Sequence, residues 1–247
     1  MGDARFRSHL STAQGTQAMT PVVIGPATLY LGDAYVIRPQ LGHMDRDCLD
    51  PPYAIRASGG GNYRKRRPMM DQLIAEGLHR GFDLSIINPL LCDAAVIFAH
   101  NDQLADLLAH LRGSFHRHAV CIWQKVNPQP VANRHYRPDL EFYVHAWHRG
   151  AHPEGSMAQK LRITSCYSPR GPKKFGHPTV KPDALMDKIM ANLGGLTICD
   201  PFMGTGSTGV AAVRAGKRFF GIEHNERHFA TAIARITAAI EEMREAA

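Results

Sequence analysis

Apolar residues along the chain form short continuous runs that alternate with stretches of helical spacing. The run AAVIFAH (94–100) is apolar up to its last residue, which is typical of a strand buried on both faces. The next segment, NDQLADLLAHLRGS, spaces its apolar residues three or four positions apart and predicts a helix that Asn101 or Asp102 caps and Gly113 ends. Because strand and helix alternate throughout the chain, the pattern predicts an α/β fold with a mainly parallel, doubly wound sheet.

The same two patterns predict the remaining elements. Strands are predicted for ATLYLGDA (27–34), a segment that ends in DCLDPPY (47–53), HAVCIWQK (118–125), LEFYVHAWH (140–148), LTICD (196–200) and RFFGIE (218–223). Helices are predicted for MMDQLIAEGLHRGF (69–82), PDALMDKIMANLGG (182–195), GSTGVAAVRAGK (206–217) and NERHFATAIARITAAIEEM (225–243). Residues 1–27 are polar and mixed, so we expect them to be partly disordered.

A glycine-rich stretch, CDPFMGTGSTGVAA, lies between a predicted strand and a predicted helix. Its Gly204, Gly206 and Gly209 match the G-x-G-x-x-G fingerprint of dinucleotide-binding loops. Glu223 ends the next strand, 19 residues after Gly204, where a carboxylate can accept hydrogen bonds from ribose hydroxyls. The glycines alone do not choose between NAD, FAD and S-adenosylmethionine, or exclude a turn without ligand. The loop is also unusually late, because only 38 residues follow Gly209.

Asp50, Pro51, Pro52 and Tyr53 end another predicted strand and combine a carboxylate, a proline-held carbonyl and an aromatic ring. Methylation of an exocyclic amine on a base needs such groups, because the amine lone pair is delocalised and is a poor nucleophile. Hydrogen bonds to a carboxylate and a backbone carbonyl localise that lone pair, and proline fixes φ at about −65° and orients the carbonyl. Tyrosine can stack on a base swung out of the duplex. The alternative is a turn, with Tyr53 in the core.

The net charge of +7 and the pI of about 9.3 favour a polyanionic partner. Most of the excess lies in two loop-like segments, for which a solvated surface is the alternative. The basic residues of these segments are Arg56, Arg64, Lys65, Arg66, Arg67 and Arg80, then Lys160, Arg162, Arg170, Lys173 and Lys174.

Several other classes of protein are disfavoured by the sequence. No apolar run approaches ~18 residues, and the first residues lack the apolar core of a signal peptide, so we expect a cytoplasmic protein. His145, His148 and His152 lack the spacing of a metal site, and we expect no metal. The five cysteines are scattered and are expected to be reduced. Cytosine-C5 methylation needs a cysteine nucleophile, and the chain has no Pro-Cys pair.

The motifs DPPY (50–53), HPTVKP (177–182) and DPFMGTGST (200–208), in that order, resemble the β-class amino-methyltransferases of DNA, which make N6-methyladenine or N4-methylcytosine. YLGDA, AVIFAHNDQL and CIWQKVNPQP are similar to further segments of that family, so that the resemblance covers about Thr28 to Ile236. It implies a Rossmann-like S-adenosylmethionine-dependent methyltransferase fold with circularly permuted motif order. The catalytic half would then precede the cofactor half, which explains the late glycine loop.

The resemblance also implies roles for individual residues. Asp50, Pro51, Pro52 and Tyr53 would be catalytic, and an aspartate at position 50 favours adenine N6 over cytosine N4, for which serine is frequent. The implied cofactor-binding residues are Asp33, His177, Thr179, Lys181, Asp200, Pro201, Phe202, Gly204, Gly206, Ser207, Thr208 and Glu223.

Double-stranded DNA is the implied partner of one methyltransferase domain over 1–247. A DNA-facing insertion is expected at 54–85 and a short target-recognition segment at 147–176. Phosphate contacts are expected from Arg64, Lys65, Arg66, Arg67, Lys173 and Lys174. The resemblance weakly favours a homodimer and leaves open whether a restriction nuclease accompanies the enzyme.

One feature of the sequence and two rival functions bear on this resemblance. The strand before Asp50 carries Asp45, Arg46 and Asp47, which predicts either a short strand or an ion pair of Arg46 with a neighbouring acid. An NAD-dependent oxidoreductase would leave the DPPY motif unexplained. A DNA-binding module with a degenerate cofactor fold would not need the intact Asp50 and Glu223.

Overall fold

The computed structural model describes residues 20–53, 81–128, 136–169 and 180–246. The predicted loop at 54–68, nearly all of the predicted helix at 69–82 and the first 19 residues lie outside these ranges.

Nine strands of the described residues form one sheet, in the order β1-β2-β9-β8-β3-β4-β6-β5-β7. The five strands from β2 to β4 in this order are mutually parallel, whereas β1 and β6 run antiparallel to their neighbours. The strands are β1 Val22–Ile24, β2 Ala27–Leu31, β3 Met44–Leu49, β4 Cys92–Ala99, β5 Arg117–Lys125, β6 Leu140–Trp147, β7 Ile163–Cys166, β8 Thr197–Asp200 and β9 Arg218–Glu223.

Helices cover both faces of this sheet. Three of them contribute to one apolar cluster, through residues such as Leu185, Val210 and Ile236. The other two contribute Ile37 and Leu107 to a second cluster on the opposite face. The mainly parallel, doubly wound α/β fold predicted from the sequence is therefore confirmed. The helices are α1 Ala34–Gln40, α2 Leu104–Ser114, α3 Asp183–Leu193, α4 Ser207–Arg214 and α5 Glu226–Glu245.

The sequence pattern missed the short elements β1, α1 and β7. β1 lies in the segment expected to be partly disordered, and it pairs with β2 through a turn at Gly25, where φ is +52°. α1 has only seven residues and contains Pro39, so helical spacing was hard to recognise. β7 has four residues at the sheet edge and alternates in burial.

The start and end of α2 differ from the prediction. A 3₁₀ turn, Asn101–Gln103, precedes the helix, and the cap is His100, whose side chain accepts from the Asp102 N–H while Gln103 caps in return. Gly113 lies inside the helix, which ends at Ser114. A cap at Asn101 or Asp102 and a stop at Gly113 were therefore wrong, because His100 and Gln103 together satisfy the first backbone groups.

The charged strand β3 is full length, and both central charges are paired. Asp47 accepts from Arg38 at 3.0 and 3.1 Å in an ion pair that is almost completely buried. Arg46 donates to the carbonyl of Leu193 at the end of α3, 2.6 Å away, and lies 3.4 Å from Asp93. The strand is therefore not short, and the expected pairing of Arg46 with a nearby acid is confirmed.

Candidate active site

The carboxyl ends of the parallel strands bring three acidic side chains to one edge of the sheet. Asp50 follows β3, Asp200 ends β8, and Glu223 ends β9. β8 and β3 are neighbours, but the chain leaves β8 toward β9 and leaves β3 toward β4, on opposite sides. Such a switch point opens a crevice at the strand ends, which is where open α/β sheets bind ligands.

A cleft of about 940 Å³, including open solvent at its mouth, occupies this switch point. The residues that line the cleft include all four residues of the DPPY motif and most of the glycine loop. The lining residues are Asp50, Pro51, Pro52, Tyr53, Phe98, Val180, Lys181, Met186, Asp200, Phe202, Met203, Gly204, Thr205, Ser207, Thr208, Glu223, His224 and His228.

The glycine loop has the backbone geometry that its sequence predicts. Gly204 and Gly206 have φ values of +51° and +84°, which side chains other than glycine adopt at a cost. A Cβ on Gly206 would lie 3.0–3.1 Å from Ala232 of α5. Gly209 lies in α4, where a Cβ would meet Phe219 at 2.7 Å, so this glycine allows helix and strand to pack closely.

Glu223 fastens the glycine loop to the end of β9. One carboxylate oxygen accepts from the backbone N–H of Gly204 at 3.0 Å, and the other accepts from that of Asn225 at 2.8 Å. The side chain lines the cleft and is buried. The predicted contact of Glu223 with ribose remains a prediction, and the carboxylate has lone pairs left for it.

Asp200 is a buried acid at the floor of the cleft. It accepts from the backbone N–H of Phe202 at 2.9 Å. The pKa of Asp200 is raised to about 8, first by burial and also by the negative charges of Asp50 and Glu223, against hydrogen bonds from Thr208 and Phe202. A cation that entered the cleft would favour the ionised form of this carboxyl.

Other residues predicted for cofactor binding are distributed differently. Phe202 lines the cleft and makes edge contacts with Tyr35 and Phe82, at centroid distances of 6.1 and 6.4 Å. The Asp33 carboxylate accepts from the Tyr35 N–H at 2.8 Å and caps α1. Asp33, Pro201 and Gly206 are not among the described lining residues, and 177 and 179 lie outside the described ranges.

At the other end of the cleft, four polar side chains form one cluster, which we call the Asp50 quartet: Asp50, Tyr53, Glu141 and Lys181. The ammonium of Lys181 lies 2.8 and 2.7 Å from the two oxygens of Asp50 and 2.8 Å from Oε1 of Glu141. The Tyr53 hydroxyl lies 2.7 Å from the same Glu141 oxygen and 3.2 Å from Asp50. Lys125 pairs with the second Glu141 oxygen at 3.1 Å.

The charges of the quartet shift its pKa values in different directions. Burial raises the pKa of Asp50, Lys181 lowers it, and Glu141 raises it. Burial also acts on Glu141, but Lys181 and Lys125 outweigh it and lower the pKa of Glu141 to about 2. The two carboxylates raise the pKa of Lys181 in spite of its burial. The Lys181 ammonium also lies 4.6 Å from the centre of the Phe98 ring.

Sequence reasoning placed Lys181 with the cofactor and did not identify Glu141 or Lys125. Lys181 lines the cleft, but its ammonium contacts Asp50. Glu141 is the second residue of β6, which is antiparallel to β4, so the start of β6 lies at the edge where the parallel strands end. Only the order and direction of the strands could have revealed this.

The three histidines considered as a metal site, His145, His148 and His152, are not among the residues that line the cleft, whereas His224 and His228 are. Among the described residues there is no group of three side chains that could hold a metal ion. His145 is buried beside Trp147, and burial together with Arg46 and Lys188 lowers its pKa to about 4. All five cysteines are free thiols. No helix within the described ranges is long and apolar enough to span a membrane.

The residues predicted to contact DNA phosphates (Arg64, Lys65, Arg66, Arg67, Lys173 and Lys174) lie outside the described residues. Of the second basic segment, Lys160 and Arg162 are described and exposed, next to β7.

Comparison with known proteins gives a consistent result. Residues 48–234 match the profile of a family described as DNA methylase, with N6 and N4 methyltransferases in its name. The Type II methyltransferase M2.DpnII of Streptococcus pneumoniae is 30% identical over 132 residues, 47% of this chain and 49% of that protein. The DNA adenine methyltransferase YhdJ of Escherichia coli (strain K12) is 38% identical over 66 residues, 26% of this chain and 22% of that protein. These matches therefore span less than half of either curated relative.

Two solved structures share the fold. The M1.HpyAVI–SAM complex superposes with a TM-score of 0.60 and 25% identity, over 85% of this chain and 99% of the other. The PvuII DNA methyltransferase, described as cytosine-N4-specific, gives a TM-score of 0.61 at 12% identity, over 89% and 93% of the two chains. The Rossmann-like fold of S-adenosylmethionine-dependent DNA methyltransferases is thereby confirmed.

Proposed function

Because the chain belongs to this family of DNA methylases, we propose that it transfers a methyl group from S-adenosylmethionine to N6 of adenine in double-stranded DNA. One observation carries the proposal: a glycine loop and the carboxylate of a DPPY motif line the same cleft at the switch point of the sheet. The names of YhdJ and of the M1.HpyAVI–SAM complex support adenine and the cofactor, respectively.

The charge of the cleft fits S-adenosylmethionine better than NAD. Asp50, Asp200 and Glu223 all line it, and Asp200, whose pKa is raised to about 8 by burial, would gain its negative charge when a cation enters. S-adenosylmethionine carries a sulfonium and an ammonium, whereas NAD carries two phosphates that these carboxylates would repel. We propose that Asp200 faces the ammonium, that Phe202, Gly204 and Gly206 line the cofactor, and that Glu223 accepts from the ribose. Asp33, Pro201, Ser207, Thr208, His177, Thr179 and Lys181, which also lines the cleft, complete the proposed cofactor site.

The proposed reaction joins the amine nitrogen to a methyl carbon and releases one proton from that nitrogen. S-adenosylmethionine supplies an electrophilic methyl group on a sulfonium that leaves as a neutral thioether. Asp50 accepts a hydrogen bond from the amine, and the proline-held carbonyl of Pro51 or Pro52 accepts a second, which localises the lone pair. Tyr53 stacks on the flipped base and fixes the orientation of the base in the cleft. Positioning of the two reactants supplies much of the rate.

Cytosine-N4 methylation is the second candidate, because the family includes N4 enzymes and the same groups could hold a cytosine amine. The aspartate at position 50 favours adenine by resemblance to adenine enzymes. Mass spectrometry of nucleosides from DNA treated with the protein and labelled cofactor decides between the two. We expect the label in N6-methyladenine, and label found in N4-methylcytosine alone would reject the adenine assignment.

DNA binding is proposed for the insertion at 54–85 and the target-recognition segment at 147–176. The phosphate contacts assigned to Arg64, Lys65, Arg66, Arg67, Lys173 and Lys174 give affinity without sequence choice. Replacing Arg66 and Arg67 together by alanine should weaken binding to all sequences and reduce the salt dependence, with a slope smaller by about 0.9 for each phosphate that is no longer neutralised. An unchanged slope in a binding titration would exclude these contacts.

The remaining expectations belong to the same proposal. They are a single domain over 1–247, the β-class permuted order of motifs, a cytoplasmic location and a homodimer. A restriction-modification role is supported by the description of M2.DpnII as a Type II methyltransferase.

A further inference from the structure

We propose that Glu141 is a positioning residue that holds the ammonium of Lys181, so that Asp50 can accept a hydrogen bond from the target amine. This inference rests on the proposed function, because it assigns Asp50 to the amine. It concerns a side chain at the start of β6 to which neither the motifs nor the strand ends of the parallel sheet gave a role.

The geometry of the Asp50 quartet sets up a conflict at Asp50. Lys181 lies within 2.8 Å of both Asp50 oxygens, which are the atoms that would accept the hydrogen bond from the amine. If Asp50 were the only partner of Lys181, an arriving amine would have to displace a buried cation from its one counter-charge. Breaking a buried ion pair in this way is costly, since the ammonium would be left uncompensated.

Glu141 removes this conflict because it offers Lys181 a second carboxylate at 2.8 Å. The exposed fractions of the side chains show which partner faces the cleft: 27% for Asp50, 13% for Glu141 and 6% for Lys181. Asp50 is therefore the accessible member, and Lys181 lies between it and Glu141. When an amine donates a hydrogen bond to Asp50, the Lys181 ammonium still has the negative charge of Glu141 as its partner.

Two further contacts fix Glu141 in this role. Lys125 pairs with its second oxygen at 3.1 Å, and the Tyr53 hydroxyl lies 2.7 Å from the oxygen that also contacts Lys181. Tyr53 is thus oriented by the same carboxylate. Glu141 consequently links the cation behind Asp50 to the aromatic ring assigned to the base.

The arrangement makes a prediction about the ionisation of Asp50 that a charged residue far from Asp50 would not make. Lys181 favours the ionised form of Asp50, and Glu141 disfavours it. Removing the charge of Lys181 should therefore raise the pKa of Asp50, and removing the charge of Glu141 should lower it. The other titratable groups around Asp50 and Lys181 are unchanged by these replacements. They are Lys125 on β5, Asp200 on β8, His100 after β4, and Cys48 and Tyr53 on the β3 segment.

The test is the pH dependence of kcat/KM for DNA at saturating S-adenosylmethionine, measured for Glu141→Gln and Lys181→Met. The acidic limb reports the ionisation of the free enzyme. We expect it to move to lower pH in Glu141→Gln, because a negative neighbour is lost, and to higher pH in Lys181→Met, because a positive neighbour is lost. At the optimum, kcat of Glu141→Gln should fall about 10- to 100-fold through misplacement of the reactants, with the stabilisation by cofactor retained.

Matched replacements control for general effects. Glu242→Gln removes a carboxylate that pairs with Arg214 on the surface, and Lys217→Met removes an ammonium that donates to the carbonyls of Gly194 and Gly195. Both should leave the acidic limb at its wild-type position. Lys181→Arg keeps the positive charge and should keep the limb near that of the wild type.

Each outcome decides one question. Acidic limbs of Glu141→Gln and Lys181→Met that move in opposite directions support the inference. Limbs that both stay in place, or that move in the same direction, overturn it. In that case, methylation by the wild type still supports the proposed function. If Lys181→Met does not fold, the direction of the shift in Glu141→Gln decides alone. A wild-type protein that methylates no DNA would reject the proposed function, and the inference with it.

Discussion

The two ends of the cleft are built in different ways. At the glycine loop, the contacts join residues that are close in sequence: Asp200 to Phe202, two positions apart, and Gly204 to Glu223, nineteen apart. In the Asp50 quartet, Lys181 and Asp50 are 131 positions apart, and Tyr53 and Glu141 are 88 apart.

This difference in sequence separation reflects two ways in which the ends of the cleft are stabilised. The glycine loop works through backbone conformation, which depends on contacts within the consecutive elements β8, α4, β9 and α5. The quartet works through charges that are compatible with burial only when all partners have arrived. The following predictions test the contrast, from the largest expected effect to the smallest.

Asp50→Ala should separate the two ends most clearly. The change removes the proposed acceptor of the amine, so we expect methyl transfer to fall by about 10²- to 10³-fold or more. Lys181 keeps Glu141 as a partner, and the glycine loop is untouched, so stabilisation by S-adenosylmethionine should persist. Methyl transfer and thermal denaturation on the same sample check both expectations. Loss of the cofactor effect would show that the two ends are not independent.

Gly206→Val should act at the glycine loop alone. Valine is strained at a φ of +84°, and its Cβ would press on Ala232. We expect the cofactor-induced stabilisation, about 2.7 kcal/mol at 100 times Kd, to disappear. Gly216→Val is the control, because its φ is +71° with no atom within 4 Å of the added Cβ. A larger stabilisation by NAD than by S-adenosylmethionine in the wild type would refute the cofactor assignment.

Asp200 should make the stability of the ligand-free protein depend on pH. Its pKa is about 8 in the folded protein and about 4 in the unfolded chain, so the folded state binds more protons between these values. The free energy of unfolding should therefore decrease as pH rises through this window, by up to about 1.4 kcal/mol per pH unit.

Asp200→Asn should remove this dependence between pH 6.5 and 8, as measured by urea denaturation. Comparing the two proteins isolates Asp200, because Asp47 and His145, whose pKa values are also shifted, are present in both. Parallel curves for wild type and variant would contradict the raised pKa.

Tyr53→Phe should have the smallest effect. It keeps the ring but removes the hydroxyl that lies 2.7 Å from Glu141, so turnover should fall by about fivefold to tenfold, or about 1 kcal/mol. KM for DNA should stay unchanged, whereas Tyr53→Ala should raise it through the loss of about 1–3 kcal/mol of stacking. Equal KM values for the two variants would argue against stacking by Tyr53.

The same contrast explains which features the sequence predicted. β8, the glycine loop, α4 and β9 follow one another in the chain, and local pattern identified all four. Glu141 was missed because its position depends on β6 lying antiparallel beside β4. Lys181 was assigned to the cofactor from its motif, and only the folded chain brings its ammonium to Asp50. Similarly, the charged residues of β3 became interpretable once Arg38 and Leu193 supplied their partners.

The strand order also has a consequence for how the protein is made. β2 pairs with β9, so that Ala27 is opposite Phe219, and β3 pairs with β8, so that Arg46 is opposite Ile198. At about 5–20 residues per second, a ribosome needs roughly 10–40 s to advance from β2 to β9. During that interval β2 and one side of β3 expose unpaired strand edges, which other nascent chains can join. The central strands β8 and β9 are thus added last. The yield of the protein in the cell should therefore depend on chaperones that shield the edges of β2 and β3 until synthesis has passed β9.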